Sequence, residues 1–84
     1  MADAVYKDPR ATDLCNQIRF LYAIHPDPIG WTASPNHKRK QIQVGHLGAK
    51  SDPVLAEEVE TLAAAIRHLG LAEEIGYEVI VVSR

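Results

Sequence analysis

Two Asp-Pro pairs divide this chain, and each stands at the start of a segment with helical periodicity. Asp8 can cap a helix through its side chain, and Pro9 suits the first helical position because its missing N–H has no partner there. Asp52 and Pro53 repeat the signal in the second half of the chain. The sequence therefore predicts two helices with a different kind of structure between them.

The first helix is predicted to run from about Pro9 to the segment His25-Pro26-Asp27-Pro28. A residue that precedes proline is pushed out of the helical region, so two closely spaced prolines end the helix. Within it, apolar residues recur at the three- and four-residue spacing of one buried face. These residues are Leu14, Cys15, Ile18, Leu21 and Tyr22.

The second helix starts at Pro53 and carries the most regular apolar stripe in the chain. Its members are Leu55, Val59, Leu62, Ile66 and Leu69. Gly70 is predicted to end the helix in the left-handed conformation, and Leu71 is then placed to touch Ile66. A short turn, AEEIG, leads from there into the last segment.

Between the helices, apolar and polar residues alternate, which predicts a β-hairpin. Ile29, Trp31 and Ala33 fall on one side of its first strand. Ser34-Pro35-Asn36 is typical of a turn, and the second strand is predicted from about Lys40 to Leu47. The tip of the hairpin is then PNHKRK, the most basic stretch of the chain.

The second strand has two unlike faces. Ile42 and Val44 are predicted to face the core, and Gly45 to mark a bulge. His46 shares the face of Ile42, and we interpret it as a half-buried histidine satisfied by a backbone carbonyl. The opposite face carries Arg39, Gln41 and Gln43.

Val79 to Val82 form a continuous β-branched run, which predicts a third strand covered on both faces, or on one face with a partner. The fold class is therefore α+β, in the order α-β-β-α-β: two helices on a small antiparallel or mixed sheet of three strands. Ala4-Val5-Tyr6 would add a fourth. A strand as apolar as the third is not left at an open edge of the sheet. If the fourth strand does not cover it, we expect a homodimer through the C-terminal strand.

Length and composition limit the class of protein. Eighty-four residues, of which 46% are hydrophobic and 24% charged, make one folded domain over 1–84. No apolar run is long enough for a membrane span, and the N-terminal residues lack the pattern of a signal peptide. Cys15 is the only cysteine and fits a reducing compartment. We expect a cytoplasmic protein.

Charge is distributed unevenly along the chain. From Pro28 to Ser51 there is no acidic residue, and the four positive charges are Lys38, Arg39, Lys40 and Lys50. From Asp52 to Glu78 there are seven acidic residues against Arg67 alone. Such asymmetry favours interaction with a charged partner or attraction between copies of the chain.

Catalytic and metal-binding patterns are missing from the sequence. No two of the four histidines have the spacing of paired zinc ligands, and the single cysteine has no Cys-x-x-Cys partner. Cys15 is interpreted as a packing residue of the first helix, and VGHLGAK lacks the spacing of a phosphate-binding loop. We therefore expect no enzyme activity, no metal and no cofactor.

A small binding protein is the function that these observations favour. It would act stoichiometrically on a protein partner with an acidic surface, as a regulator, adaptor or inhibitor. The alternative is a nucleic-acid-binding module that uses the same tip as a dimer. A third hypothesis is a small-molecule enzyme or sponge built at a dimer interface around Cys15, His46 or Tyr77. The predicted partner-binding residues are His37, Lys38, Arg39, Lys40, Gln41, Gln43 and Lys50.

Overall fold

Asp8 starts the first helix as the sequence predicts, with its carboxylate accepting a hydrogen bond of 2.9 Å from the backbone N–H of Arg10. This computed structural model describes residues 5–26 and 28–82. Helix α1 spans Pro9–Ala23 and ends just before the predicted His-Pro stop. Among the described residues, no helix is both long and apolar enough to cross a membrane.

Helix α2 spans Pro53–Leu69 and is capped in the same way, since Asp52 accepts a hydrogen bond of 2.9 Å from the N–H of Val54. Gly70 ends it with φ of 72°, the left-handed conformation that glycine adopts without strain. The segment predicted as a short turn begins with one more helical turn, α3, over Leu71–Glu74. Both main helices are therefore where the sequence predicts them.

Three strands form one mixed sheet in the order β1-β2-β3: β1 over Trp31–Asn36, β2 over Gln41–His46 and β3 over Glu78–Val81. Strands β1 and β2 are an antiparallel hairpin. Strands β2 and β3 are parallel, with α2 and α3 as the crossover that a parallel pair requires. The predicted α+β class is confirmed, and the sheet is the mixed one of the two alternatives.

One face of the sheet packs against the helices and forms the core. Ala33, Ile42, Val44 and Val79 all lie on this face and are buried against α1 and α2. The other face is not covered by any described helix. Its residues are mainly polar: Thr32, Ser34, Asn36, Gln41, Gln43, Gly45, Glu78, Ile80 and Val82. The described part of the chain thus has two layers, a sheet and the helices on one side of it.

Three local predictions about the hairpin are wrong. Ile29 is 81% exposed and lies before the strand, because Gly30 turns the chain with φ of 94°. Pro35 and Asn36 belong to β1 rather than to the turn, which occupies residues 37–40. Gly45 lies in a regular ladder opposite Thr32 and not in a bulge.

The apolar faces of the two helices are not buried along their whole length. Leu21 in α1 is 50% exposed and Leu69 in α2 is 63% exposed, whereas Ile18 and Ile66 are nearly inaccessible. Both exposed leucines lie in the last turn of their helices. Leu71 is 39% exposed and lies outside the buried core cluster, and its contact with Ile66 stays a prediction.

Of the two predicted covers for the edge of the sheet, the N-terminal strand does not form over Val5 and Tyr6, and Ala4 lies outside the described residues. Strand β3 occupies an edge of the sheet, with Val79 buried against the helices. Among the described residues, no other strand pairs with its outer side.

Candidate functional site

The hairpin tip, residues 37–40, has a defined backbone. The N–H of Arg39 donates to Oδ1 of Asn36 over 3.1 Å, which closes the turn. Lys40 adopts φ of 53°, a left-handed conformation, and its carbonyl accepts a hydrogen bond of 2.9 Å from the N–H of Glu78. The tip is therefore held by its own turn and by the start of β3.

His37 attaches the tip to the body of the domain. Its Nδ1 lies 2.8 Å from the hydroxyl oxygen of Tyr77, and the two rings meet edge to face with centroids 6.0 Å apart. Tyr77 is 4% exposed, and burial raises the pKa of its hydroxyl while a backbone hydrogen bond from Asp8 acts in the opposite direction. Tyr77 thus ties the tip to the start of β3.

Arg10 brings a further positive charge to this end of the molecule. Its guanidinium forms a two-pronged pair with Asp8, with Nη2 at 2.7 Å from Oδ2 and Nε at 3.0 Å from Oδ1. This hydrogen-bonded pair lowers the pKa of Asp8 and raises that of Arg10. Asp8 therefore caps the helix and orients the guanidinium at the same time.

Together these groups line a depression of about 390 Å³, which we call the basic cleft. Its positively charged residues are Arg10, Lys38 and Lys40, with His37 beside them and Asp8 as the one acid of the described lining. Its remaining lining is apolar or aromatic: Val5, Tyr6, Ile75 and Tyr77. The cleft can hold an apolar group on its floor and an anionic group at its rim.

The structure brings together only part of the predicted partner-binding set. Lys38, Arg39 and Lys40 are exposed on the tip, and His37 is half-buried beside them. Lys50 follows the opposite end of β2, about 20 Å from the tip at 3.3 Å per residue. The other two predicted residues, Gln41 and Gln43, are half-buried on the open face of the sheet.

Arg10 is a residue that sequence reasoning missed. The pattern Asp8-Pro9 predicts the helix cap, and the cap holds the arginine two residues later. Nothing in the linear pattern places this first turn beside a hairpin tip that lies 27 to 30 residues further along. That proximity depends on how α1 packs across the sheet.

Cys15 and His46, the polar groups considered for catalysis, both have structural roles: Cys15 packs in the core, and His46 bonds to the backbone. Cys15 is 1% exposed, and burial raises the pKa of its thiol to about 11, so it is protonated at neutral pH. His46 Nδ1 accepts a hydrogen bond of 2.9 Å from the N–H of Gly48, so Nε2 carries the proton and donates it to the carbonyl of Ile29 over 2.9 Å. The predicted histidine satisfied by a backbone carbonyl is confirmed.

Within residues 5–26 and 28–82, no three histidine, cysteine or acidic side chains are grouped so that they could hold a metal ion. Comparison with protein-family models, with curated proteins and with solved structures found no match. The arguments below therefore depend on the contacts, charges and surfaces of the chain itself.

Proposed function

We propose that this domain is a non-catalytic binding protein that acts stoichiometrically on a protein partner, as a regulator, adaptor or inhibitor. The observation that supports this proposal best is the basic cleft, where Arg10, Lys38 and Lys40 surround an apolar and aromatic floor. The partner would present an acidic segment with an apolar residue between its carboxylates.

The fixed backbone of the tip favours recognition over a purely solvating role. The bond between His37 and Tyr77 and the bond from Glu78 to the carbonyl of Lys40 hold the tip before any partner arrives. A surface that is already ordered loses less conformational entropy on binding. Carboxylates also accept strong, charge-assisted hydrogen bonds from lysine and arginine.

The size of the cleft suits a short peptide segment. A volume of about 390 Å³ is at the small end of the range of ligand pockets, which is roughly 300 to 1,000 Å³. It would take a few side chains rather than a folded surface. The exposed lysines around it would steer an acidic partner and raise the association rate more than the affinity.

A nucleic-acid-binding module remains the alternative for the same surface. The tip and the lining of the cleft carry four cations among the described residues, namely Arg10, Lys38, Arg39 and Lys40, and Asp8 already pairs with one of them. Four phosphate contacts limit the slope of log affinity against log salt to about −3.6 on duplex DNA. The floor of the cleft is too small for a run of stacked bases, so we favour the protein partner.

A synthetic acidic peptide tests the proposal directly. Fluorescence anisotropy would compare a labelled peptide of alternating aspartate and leucine, its lysine counterpart, and single- and double-stranded oligonucleotides across a salt series. We expect the acidic peptide to bind more tightly than the other three at 150 mM salt, because apolar contacts in the cleft are not screened. Nanomolar binding of an oligonucleotide at that salt concentration would promote the nucleic-acid module instead.

Two variants with equal charge locate the site. Lys38→Ala/Lys40→Ala should weaken the peptide complex, because it removes two cations from the cleft. The control, Arg19→Ala/Lys50→Ala, removes the same charge from exposed residues outside the cleft. Equal losses in both variants would show that only the net charge matters and would contradict a specific role for the cleft.

Two further expectations belong to this proposal. The buried thiol of Cys15 suits a reducing, cytoplasmic location. A homodimer through β3 stays a prediction. Nε and Nη2 of Arg67 donate to the carbonyl of Val79 in β3 over 3.2 and 3.0 Å. A second copy would therefore have to pair with an edge that Arg67 already occupies.

A further inference from the structure

A second depression, which we call the interhelical groove, runs between α1 and α2 and has the opposite character to the basic cleft. Its apolar lining comes from Leu21 and Tyr22 of α1, Trp31 of β1, and Val54, Leu62 and Ala65 of α2. Leu21 lies 11 residues after Arg10, about 17 Å along the axis of α1 from the basic cleft. The two surfaces are therefore separate.

The groove exposes apolar surface that a small domain ordinarily buries. Val54 is 65% exposed and Leu21 is 50% exposed, and the ring of Trp31 is stacked on Tyr22 at a centroid distance of 5.1 Å. The volume is about 500 Å³. Along α2 the lining extends from Val54 to Ala65, a rise of about 17 Å or three helical turns.

The rim of the groove is acidic. Glu57 and Glu58 are exposed along it, and the residues described in its lining include no lysine or arginine. His25 stands across from them, with its Nε2 at 3.9 Å from a carboxylate oxygen of Glu58. An occupant that combines apolar side chains with positive charge would complement both the floor and the rim, whereas an acidic one would be repelled.

We propose that the interhelical groove docks a basic amphipathic α-helix of a protein partner. A helix laid along three turns of α2 would insert apolar side chains at positions i, i+4 and i+7 and place its lysines or arginines beside Glu57 and Glu58. The domain would then have two recognition surfaces of opposite charge. This inference stands independently of the function proposed for the basic cleft.

Trp31 reports on the groove without a label, because it is the only tryptophan in the chain and lines the floor. The probe is a 14-residue peptide of leucine and lysine with its leucines on one helical face. Its controls are a scrambled peptide of the same composition and a leucine and glutamate peptide with the same pattern. We expect only the first to shift the emission of Trp31 in a saturable way and to gain helicity by circular dichroism.

Two matched variants locate the binding. Ala65→Arg places a long cation inside the groove and should weaken the leucine and lysine peptide by at least about tenfold. Ala64→Arg is its control, because Ala64 is also exposed on α2 but is not among the lining residues of the groove. Glu57→Gln/Glu58→Gln should weaken the peptide by about two- to tenfold at low salt and by less at high salt.

Three results would overturn the inference. The first is equal binding of the patterned and scrambled peptides, and the second is an equal effect of Ala65→Arg and Ala64→Arg. The third is self-association of the unliganded domain in sedimentation velocity that Ala65→Arg abolishes, which would identify a second copy of the chain as the occupant of the groove.

Discussion

Nδ1 of His37 and the hydroxyl oxygen of Tyr77 lie 2.8 Å apart, and this contact ties the hairpin tip to the start of β3 across 40 residues of sequence. Tyr77 and Asp8, the cap of α1, both line the basic cleft, so the tip, the start of β3 and the N-terminus of α1 all border it. The buried phenol of Tyr77 therefore adds a side-chain tie to the two backbone contacts that hold the tip.

Tyr77→Phe should loosen the tip while keeping the ring in place. We expect the free energy of unfolding to fall by about 1 kcal/mol, the net value of one hydrogen bond, and amide exchange at residues 37–40 to accelerate. Urea unfolding and hydrogen exchange would measure the two effects. Tyr6→Phe is the control, because Tyr6 is 73% exposed, and faster exchange at the tip in that variant as well would contradict the role of Tyr77.

Lys40→Gly should stabilise the domain. Lys40 has φ of 53°, where a side chain costs about 1–2 kcal/mol and glycine does not, although glycine also gives more freedom to the unfolded chain. The expected net gain is about 0.5–1 kcal/mol in urea unfolding. Lys40→Ala removes the same charge without relieving the backbone, so an equal gain in both variants would assign the effect to charge.

Gly45→Ala should be among the most damaging single-atom additions to the sheet. A Cβ at this position would stand 2.5 Å from the carbonyl oxygen of Val82, and a backbone atom cannot move aside cheaply. We expect a loss of about 2 kcal/mol or more by urea unfolding. Gly48→Ala provides the comparison, since its Cβ would meet the flexible end of Leu55 at 3.0 Å and should cost less.

Arg67→Met should expose the outer edge of β3. In a parallel strand, alternate residues bond to the same neighbouring strand. The N–H groups of Glu78 and Val82 donate to the carbonyls of Lys40 and Val44, so the carbonyl of Val79 faces outward. Arg67 donates two hydrogen bonds to that carbonyl. Methionine keeps an apolar stem but provides no donor. We expect a loss of about 1–2 kcal/mol in urea unfolding and more self-association.

Sedimentation velocity over a range of concentrations would measure the self-association, with Arg19→Met as the matched control. If Arg67→Met is no more prone to associate than the control, the arginine does not protect the edge. The wild-type chain could itself be a dimer. If Arg67→Met then dimerises with the same dissociation constant, the dimer contact does not involve β3.

Alkaline pH should destabilise the domain through Cys15. Burial raises the pKa of this thiol from 9.0 to about 11, so above pH 9 the unfolded chain loses the proton while the folded chain keeps it. The stabilisation is complete below pH 9 and is lost as pH rises toward 11, by on the order of 2–3 kcal/mol. Urea unfolding at pH 8 and pH 10.5 would measure the loss.

Cys15→Ala is the variant that isolates this effect. It should be less stable than the parent at pH 8, because it leaves a cavity in the core, and should then lose less stability on going to pH 10.5. Tyr22, whose pKa burial raises to about 12, contributes mainly at still higher pH. An unchanged pH dependence in Cys15→Ala would show that the thiol does not titrate in this window.

Several features of the fold could be predicted because their causes lie within a few residues of sequence. Asp8 and Asp52 cap helices through bonds to residues two positions later, and Gly70 ends α2 through its own backbone freedom. That Ile42 and Val44 share the buried face of β2 likewise follows from the two-residue period of a strand. Local physics is sufficient for these elements, and the α+β order follows from them.

The two surfaces with proposed functions depended on the tertiary structure. Arg10 joins the basic cleft, and Lys50 is excluded from it, because α1 crosses the sheet beside the tip while β2 carries the chain about 20 Å to the other end. Leu21 has the spacing of a buried residue but is 50% exposed, because it lines the groove between α1 and α2, which no described part of the chain fills. A periodic pattern states which residues share a face, whereas the area of the opposing layer decides how much of that face is covered.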